Sequence, residues 1–184
     1  MLINVSTLLT EPVGRARRYE VEDERVFVPE AGFEQFVTGD VQLIRSERGV
    51  LVMASLRLRP VPLQCARCLD AYDESGVEIE FDEEYVQEYD PETGQRMQRD
   101  EDEFGIDMQR HLDLSEAVRQ YEESVLPIRP LCRPDCRGLC PTCGLNLNTG
   151  TCECPPADPD HRWSALSSLA EQLRTEETDG RPEA

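Results

Sequence analysis

The sequence predicts an α+β protein: an antiparallel β-sheet with two helices and a Cys-rich C-terminal segment. Three observations lead there. Apolar and polar residues alternate with period two in the first half. Two later stretches repeat their apolar residues at helical spacing. Six of the eight cysteines crowd between Cys132 and Cys154. The expected organisation is a β-rich domain with one helix over 1–126, the Cys-rich segment with a terminal helix over 127–174, and a disordered tail over 175–184.

Residues 36–44 and 50–58 are apolar-rich runs separated by Ser46-Glu47-Arg48-Gly49, which reads as a hairpin. Pro60 and Pro62 then end the second strand or confine it to a sheet edge, because proline lacks the N–H that a ladder needs. The next strand is expected beyond the first cysteine pair. There Val77, Ile79, Phe81 and Tyr85 fall on one face, while Glu78, Glu80, Asp82 and Glu84 fall on the other. Neighbouring carboxylates on such a face are about 6.5–7 Å apart and form an acidic stripe. Solvation alone accounts for the stripe; docking of a basic partner is the sharper reading.

Residues 88–103 are polar and contain Asp90-Pro91-Glu92-Thr93-Gly94, an exposed, mobile acidic loop by composition. A helix is expected next, with Asp113 as N-cap and Glu116 closing a capping box. Leu114, Ala117, Val118, Tyr121 and Val125 form its core-facing stripe, and Pro127 ends it. The terminal helix is expected from near His161 to Arg174, capped by Asp160, with Trp163, Leu166, Leu169 and Leu173 on one face.

Charge narrows the function. The chain has 38 acidic and 19 basic side chains, a net charge of −19, and such a surface repels a polyanion. Extensive direct nucleic-acid binding is therefore disfavoured and a basic protein partner favoured. Arg15, Arg17 and Arg18 make a local basic cluster, read here as a solvated strand end. The N-terminus lacks the pattern of a secretory signal, and no apolar run is long enough for a membrane helix, so a soluble cytoplasmic protein is expected.

In a reducing compartment, close-spaced cysteine pairs point to metal rather than disulfides, and zinc is the default ion. Cys140-Pro141-Thr142-Cys143-Gly144 has the form of a zinc knuckle, with Gly144 free to take positive φ. Proximity groups Cys140, Cys143, Cys152 and Cys154 into one site. Cys65, Cys68, Cys132 and Cys136 remain for a second, which would tie the β-region to the C-terminal segment. A single site with Cys65 and Cys68 unmetallated is the competing arrangement. Redox chemistry at Cys65-Ala66-Arg67-Cys68 would need a helix N-terminus after a strand, and the sequence predicts strands on both sides instead. A catalytic zinc would need an open position, commonly with histidine. His111 and His161 lack ligand spacing and read as a polar residue near one helix and a first-turn residue of the other. No nucleophile elbow or phosphate loop is present, so a non-enzyme is expected.

Cys65-Ala66-Arg67-Cys68-Leu69, Asp113-Leu114-Ser115-Glu116-Ala117-Val118-Arg119 and the run from Leu126-Pro127 through Leu131-Cys132-Arg133-Pro134-Asp135-Cys136-Arg137-Gly138-Leu139-Cys140-Pro141-Thr142-Cys143-Gly144-Leu145-Asn146-Leu147-Asn148 together resemble the YceD family of large ribosomal RNA subunit accumulation proteins. Family members carry Asp-Pro-Arg before the last helix, where this chain has Asp160-His161-Arg162-Trp163, and some lack the C-terminal cysteines. The resemblance implies a role in accumulation or processing of large-subunit ribosomal RNA during subunit assembly. Family genes often neighbour one for a small basic large-subunit ribosomal protein. A ribosomal precursor particle or such a protein is accordingly the expected partner. An RNA-processing enzyme or nuclease cofactor is the alternative from another class. A zinc-ribbon transcription adaptor ranks last, because residues 144–154 contain no Lys, Arg or aromatic residue.

Overall fold

The computed structural model describes residues 1–90, 93–97, 100, 103–155 and 166. Its elements are β1 (Leu2–Asn4), α1 (Ser6–Leu9), β2 (Ala16–Val28), β3 (Phe33–Arg45), β4 (Gly49–Leu58), β5 (Val61–Gln64), β6 (Ala71–Glu74), β7 (Glu78–Gln87), β8 (Phe104–Ile106), β9 (His111–Asp113) and α2 (Ser115–Val125). Two compact units form: residues 1–66 with 70–134, and residues 67–69 with 135 onward.

In the first unit, seven strands pair in the order β1-β9-β8-β7-β4-β3-β2, while β5 and β6 form a separate two-stranded sheet. The sheet is mixed, which corrects the expectation of a purely antiparallel one: β7 and β8 run parallel, joined by a connection too long for a hairpin. The predicted hairpin is β3 and β4, each extended past the predicted ends. Its turn is held by Ser46, whose Oγ accepts the Gly49 N–H at 3.0 Å. Gly49 is required by packing, since a Cβ there would lie 1.9 Å from the Tyr85 carbonyl oxygen across β7.

Alternation on β3, β4 and β7 turns Val41, Leu43, Val52, Leu56, Ile79 and Tyr85 to one side, all at most 1% exposed. Burial of each such side chain contributes about 1.5–3 kcal/mol. Leu114, Ala117 and Val118 of the α2 segment close this core, and Tyr121 stacks on Phe81 with ring centroids 4.9 Å apart.

The helix differs from expectation at both ends. It begins at Ser115, and Asp113 ends β9 instead of capping. The Asp113 carboxylate still accepts the Ser115 N–H at 2.9 Å, but Glu116 closes no capping box and accepts from Arg119 at 2.6 Å. At the other end Val125 is 47% exposed, not core: it borders an open depression beside Gly76 and Val77. Glu122 takes the buried place instead.

Strand β5 lies before the first cysteine pair and β6 just after it, so Cys65 and Cys68 follow a short hairpin strand that contains Pro62. Both strands of a two-stranded sheet are edges, where proline is tolerated. Within the predicted loop 88–103, two contacts among the described residues join its early part. Tyr89 bridges Arg96, and the Gly94 N–H donates to the Asp90 carbonyl at 2.9 Å. The terminal helix from His161 to Arg174, apart from Leu166, and the tail 175–184 lie outside the described residues.

The second unit has a different composition. Among its described residues the buried ones are Cys68, Cys136, Gly138 and Cys140, with no apolar cluster. Backbone bonds hold it: Leu139 N–H to the Arg67 carbonyl at 3.1 Å, Leu147 N–H to the Gly138 carbonyl at 2.9 Å, and a bridge between Leu139 and Asn146.

Candidate functional site

Ligand geometry begins with the cysteine turns. At Cys140–Gly144, the Gly144 N–H donates to the Cys140 carbonyl at 2.9 Å, and the Cys140 N–H to the Leu145 carbonyl at 2.8 Å. Gly144 has φ +74°, a conformation natural to glycine. The turn thereby aims the Cys143 and Thr142 N–H groups at the Cys140 sulfur, and these two donors lower the thiol to about 6. At Cys154 the shift is opposite, up to about 12, first from the hydrogen bond with Cys143 and then from burial. Adjacent thiols thus compete for charge, which a shared divalent cation relieves.

No cysteine is in a disulfide. The sulfurs of Cys140, Cys143, Cys152 and Cys154 lie within 4.8 Å of one another, as do those of Cys65, Cys68, Cys132 and Cys136. Four thiolates around zinc at 2.3 Å stand about 3.8 Å apart, so the sulfurs of each set lie close enough together to share one ion. Each cluster could hold a metal ion. The donors suit a soft or borderline cation, and a site closed by four thiolates leaves no position for a substrate.

Two residues that sequence reasoning missed support these cysteines. The Asn148 side-chain N–H donates to the Cys136 sulfur at 3.3 Å, and an Arg67 guanidinium N–H donates to the Cys136 carbonyl at 2.9 Å. Neither has a sequence signature, because both contacts depend on how a loop without regular structure folds back.

The other predicted site lies on the sheet face opposite the core. Glu78, Glu80 and Asp82 are exposed there and Glu84 is half-buried. The four are not equivalent. Glu78 pairs with Arg57 at 2.5 Å, and Glu84 accepts from Ser46 Oγ at 2.7 Å with Arg48 3.7 Å away. Glu80 and Asp82 have no guanidinium within ion-pair distance among the described residues. The register extends this charge across the sheet: Glu20 of β2 is opposite Asp40 of β3, Asp40 opposite Ser55 of β4, and Ser55 opposite Glu80 of β7. Arg18 offsets Asp40 at 2.9 Å and holds its carboxyl below the usual range by donating to it. Exposed Met53, opposite Asp82, lies in a shallow depression of about 560 Å³ that Arg18, Gln42 and Glu80 also line.

The basic cluster of the N-terminal region is engaged in ion pairs, Arg15 and Arg17 sharing Glu11 and Arg18 meeting Asp40. Arg17 donates to Glu11 at 2.7 Å, and Arg15 lies 3.6 Å from the same carboxylate. His111 sits on β9, 3.2 Å from the Asn4 side-chain amide. No helix among the described residues is long and apolar enough to cross a membrane.

Comparison with known proteins places these features in a family. The profile described as Large ribosomal RNA subunit accumulation protein YceD matches residues 59–170. An uncharacterized protein of Mycobacterium tuberculosis is 30% identical over 141 residues, which cover 74% of this chain and 62% of that protein. The chloroplastic protein named Large ribosomal RNA subunit accumulation protein YCED homolog 1 from Arabidopsis thaliana is 31% identical over 68 residues, or 37% of this chain and 21% of the plant protein. Its namesake in Zea mays is 27% identical over 139 residues, 61% of this chain and 47% of the plant protein. The chain thus spans about three fifths of the mycobacterial relative, 62%, and less of the plant ones. No solved structure matches.

Proposed function

Because the chain belongs to the YceD family of large ribosomal RNA subunit accumulation proteins, we propose that it is a non-enzymatic factor for accumulation of that RNA and assembly of the large ribosomal subunit. It engages a basic large-subunit ribosomal protein or precursor particle through the acidic face of its sheet. Zinc in both cysteine clusters holds the Cys-rich segment in shape.

The observation that carries this reading is the carboxylate field of Glu20, Glu80 and Asp82 on one sheet face, with the Arg18-paired Asp40 between them. A rigid sheet holds these groups at fixed spacing, so a Lys- or Arg-rich surface gains several contacts without ordering loops. Direct RNA binding would instead require shedding this charge. Zinc fits the donor sets because it prefers a closed thiolate tetrahedron, and each filled site carries a net charge of about −2.

The test is complementation of a strain lacking the gene, read as the ratio of large- to small-subunit ribosomal RNA. The wild-type chain should restore the ratio, and a chain carrying E20Q, E80Q and D82N together should not. Full rescue by that variant would remove the acidic face from the mechanism. An unchanged ratio in the deletion strain would remove the RNA role itself.

A further inference from the structure

The geometry points to Asn148 as a positioning residue for the Cys136 thiolate, through which the loop between Cys143 and Cys152 governs how tightly the Cys65/Cys68/Cys132/Cys136 cluster holds its metal. The inference rests on the metal reading of both clusters and adds a coupling between them.

Asn148 contacts Cys136 and the residue that follows it. Its side-chain N–H donates to the Cys136 sulfur at 3.3 Å, and its Oδ1 accepts the Arg137 N–H at 2.8 Å. Cys136 is only 3% exposed, so water does not substitute readily for that donor. An N–H directed at a thiolate stabilises its charge and fixes the sulfur lone pair, the usual task of groups just outside a metal's own ligands.

Asn148 is itself held by its loop. Asn146 Oδ1 accepts both the Asn148 backbone N–H at 3.0 Å and its side-chain N–H at 2.9 Å. The Thr149 and Gly150 N–H groups return to the Asn146 carbonyl. This loop begins one residue after Cys143 and ends before Cys152, both members of the Cys140/Cys143/Cys152/Cys154 cluster. No apolar side chain within it is buried. Besides these hydrogen bonds and that from the Leu147 N–H to the Gly138 carbonyl at 2.9 Å, ligation at its two ends is what fixes the loop, and with it the position of the Asn148 amide.

The experiment is a chelator titration of the zinc-loaded full chain, with native mass spectrometry for the metal count and thiol alkylation mapped by peptide. Asn148→Asp keeps the Oδ1 acceptor and removes the donor to sulfur, whereas Asn148→Ala removes both. Both variants should bind two ions, yet Cys65, Cys68, Cys132 and Cys136 should become alkylated at chelator concentrations about 10–100-fold lower than in the wild type. Cys140 should keep its protection, which also reports that the variants are folded. Cys143→Ser should weaken the Cys65/Cys68/Cys132/Cys136 cluster by a similar factor, and adding Asn148→Asp to it should weaken that cluster little further. Equal protection of the Cys65/Cys68/Cys132/Cys136 cluster in wild type, Asn148→Asp and Asn148→Ala would overturn the role of Asn148. Strictly additive effects in the double variant would overturn the coupling. A wild-type chain without bound metal would overturn the metal reading and this inference with it.

Discussion

Glu122 on α2 is buried with its carboxylate 3.2 Å from the Gln35 side-chain N–H on β3, and the two residues are 87 positions apart in the chain. Gln35 is buried too, and its N–H also reaches the Arg59 carbonyl at 3.3 Å. A neutral amide is thus the partner of a buried acid.

That pairing sets a pH dependence. Burial raises the Glu122 carboxyl above its ordinary value, against the smaller lowering effect of the Gln35 hydrogen bond. The native state therefore retains a proton that the unfolded chain has already released, so this group's contribution to stability falls as pH rises from about 4.5 through the raised value. Glu122→Gln should stabilise the protein at pH 7 and change it little at pH 4. Urea unfolding at the two pH values measures this; a variant less stable than wild type at pH 7 would contradict it.

Gly49 offers a steric test. Its Cβ position lies 1.9 Å from a backbone oxygen that cannot swing away, whereas nothing lies within 4 Å of the one at Gly76. Gly49→Ala should cost on the order of 3 kcal/mol through lost pairing of β4 with β7. Gly76→Ala, strained only by its positive φ of 74°, should cost about 1 kcal/mol. Chemical denaturation of both variants compares them directly.

Metal removal should act regionally. Residues 135–155 have no apolar cluster, while the sheet has its own core. After chelation, amides of residues 135–155 should exchange within seconds by hydrogen-exchange mass spectrometry, while those of β4 and β7 should remain protected. Uniform protection across both regions would show that the Cys-rich segment is stable without an ion.

Carboxylates on the open face should rank by their neighbours. Glu78 already has Arg57, so Glu78→Gln should weaken capture of a basic ribosomal protein less than Glu80→Gln or Asp82→Asn, at about 0.5 against 1 kcal/mol or more. Binding should also fall steeply with salt, since these groups are exposed. Affinity measured for each variant at two ionic strengths separates the cases.

Strands β3, β4 and β7 were legible because their alternation is long enough to fix a face. So was the centre of α2, through Leu114, Ala117 and Val118. Strands β1, β8 and β9 were not, since each has three residues and exists only because a neighbour supplies its hydrogen bonds. Val125 misled because helical periodicity shows which residues share a side and not where the covering sheet stops. The two sets of four cysteines that lie close in space are those grouped by chain proximity, with the remaining four left for the second. The Asn148 contact was beyond reach, because it depends on the path of an irregular loop. Glu20 was missed for a related reason: only the register of β2 against β3 puts it in line with Glu80.

The pairing of β1 with β9 has a consequence for how the molecule is made. A strand at Leu2–Asn4 finds its partner only once His111–Asp113 has been synthesised, which at typical elongation rates comes roughly 5–20 s later. The β3 and β4 hairpin can form in the interval, leaving its β7 side open until residues 78–87 emerge. The nascent chain therefore passes through a stage with an unsatisfied β4 edge; once β7 closes it, the free edge is that of β7, whose acidic outward residues discourage association with other chains until β8 follows.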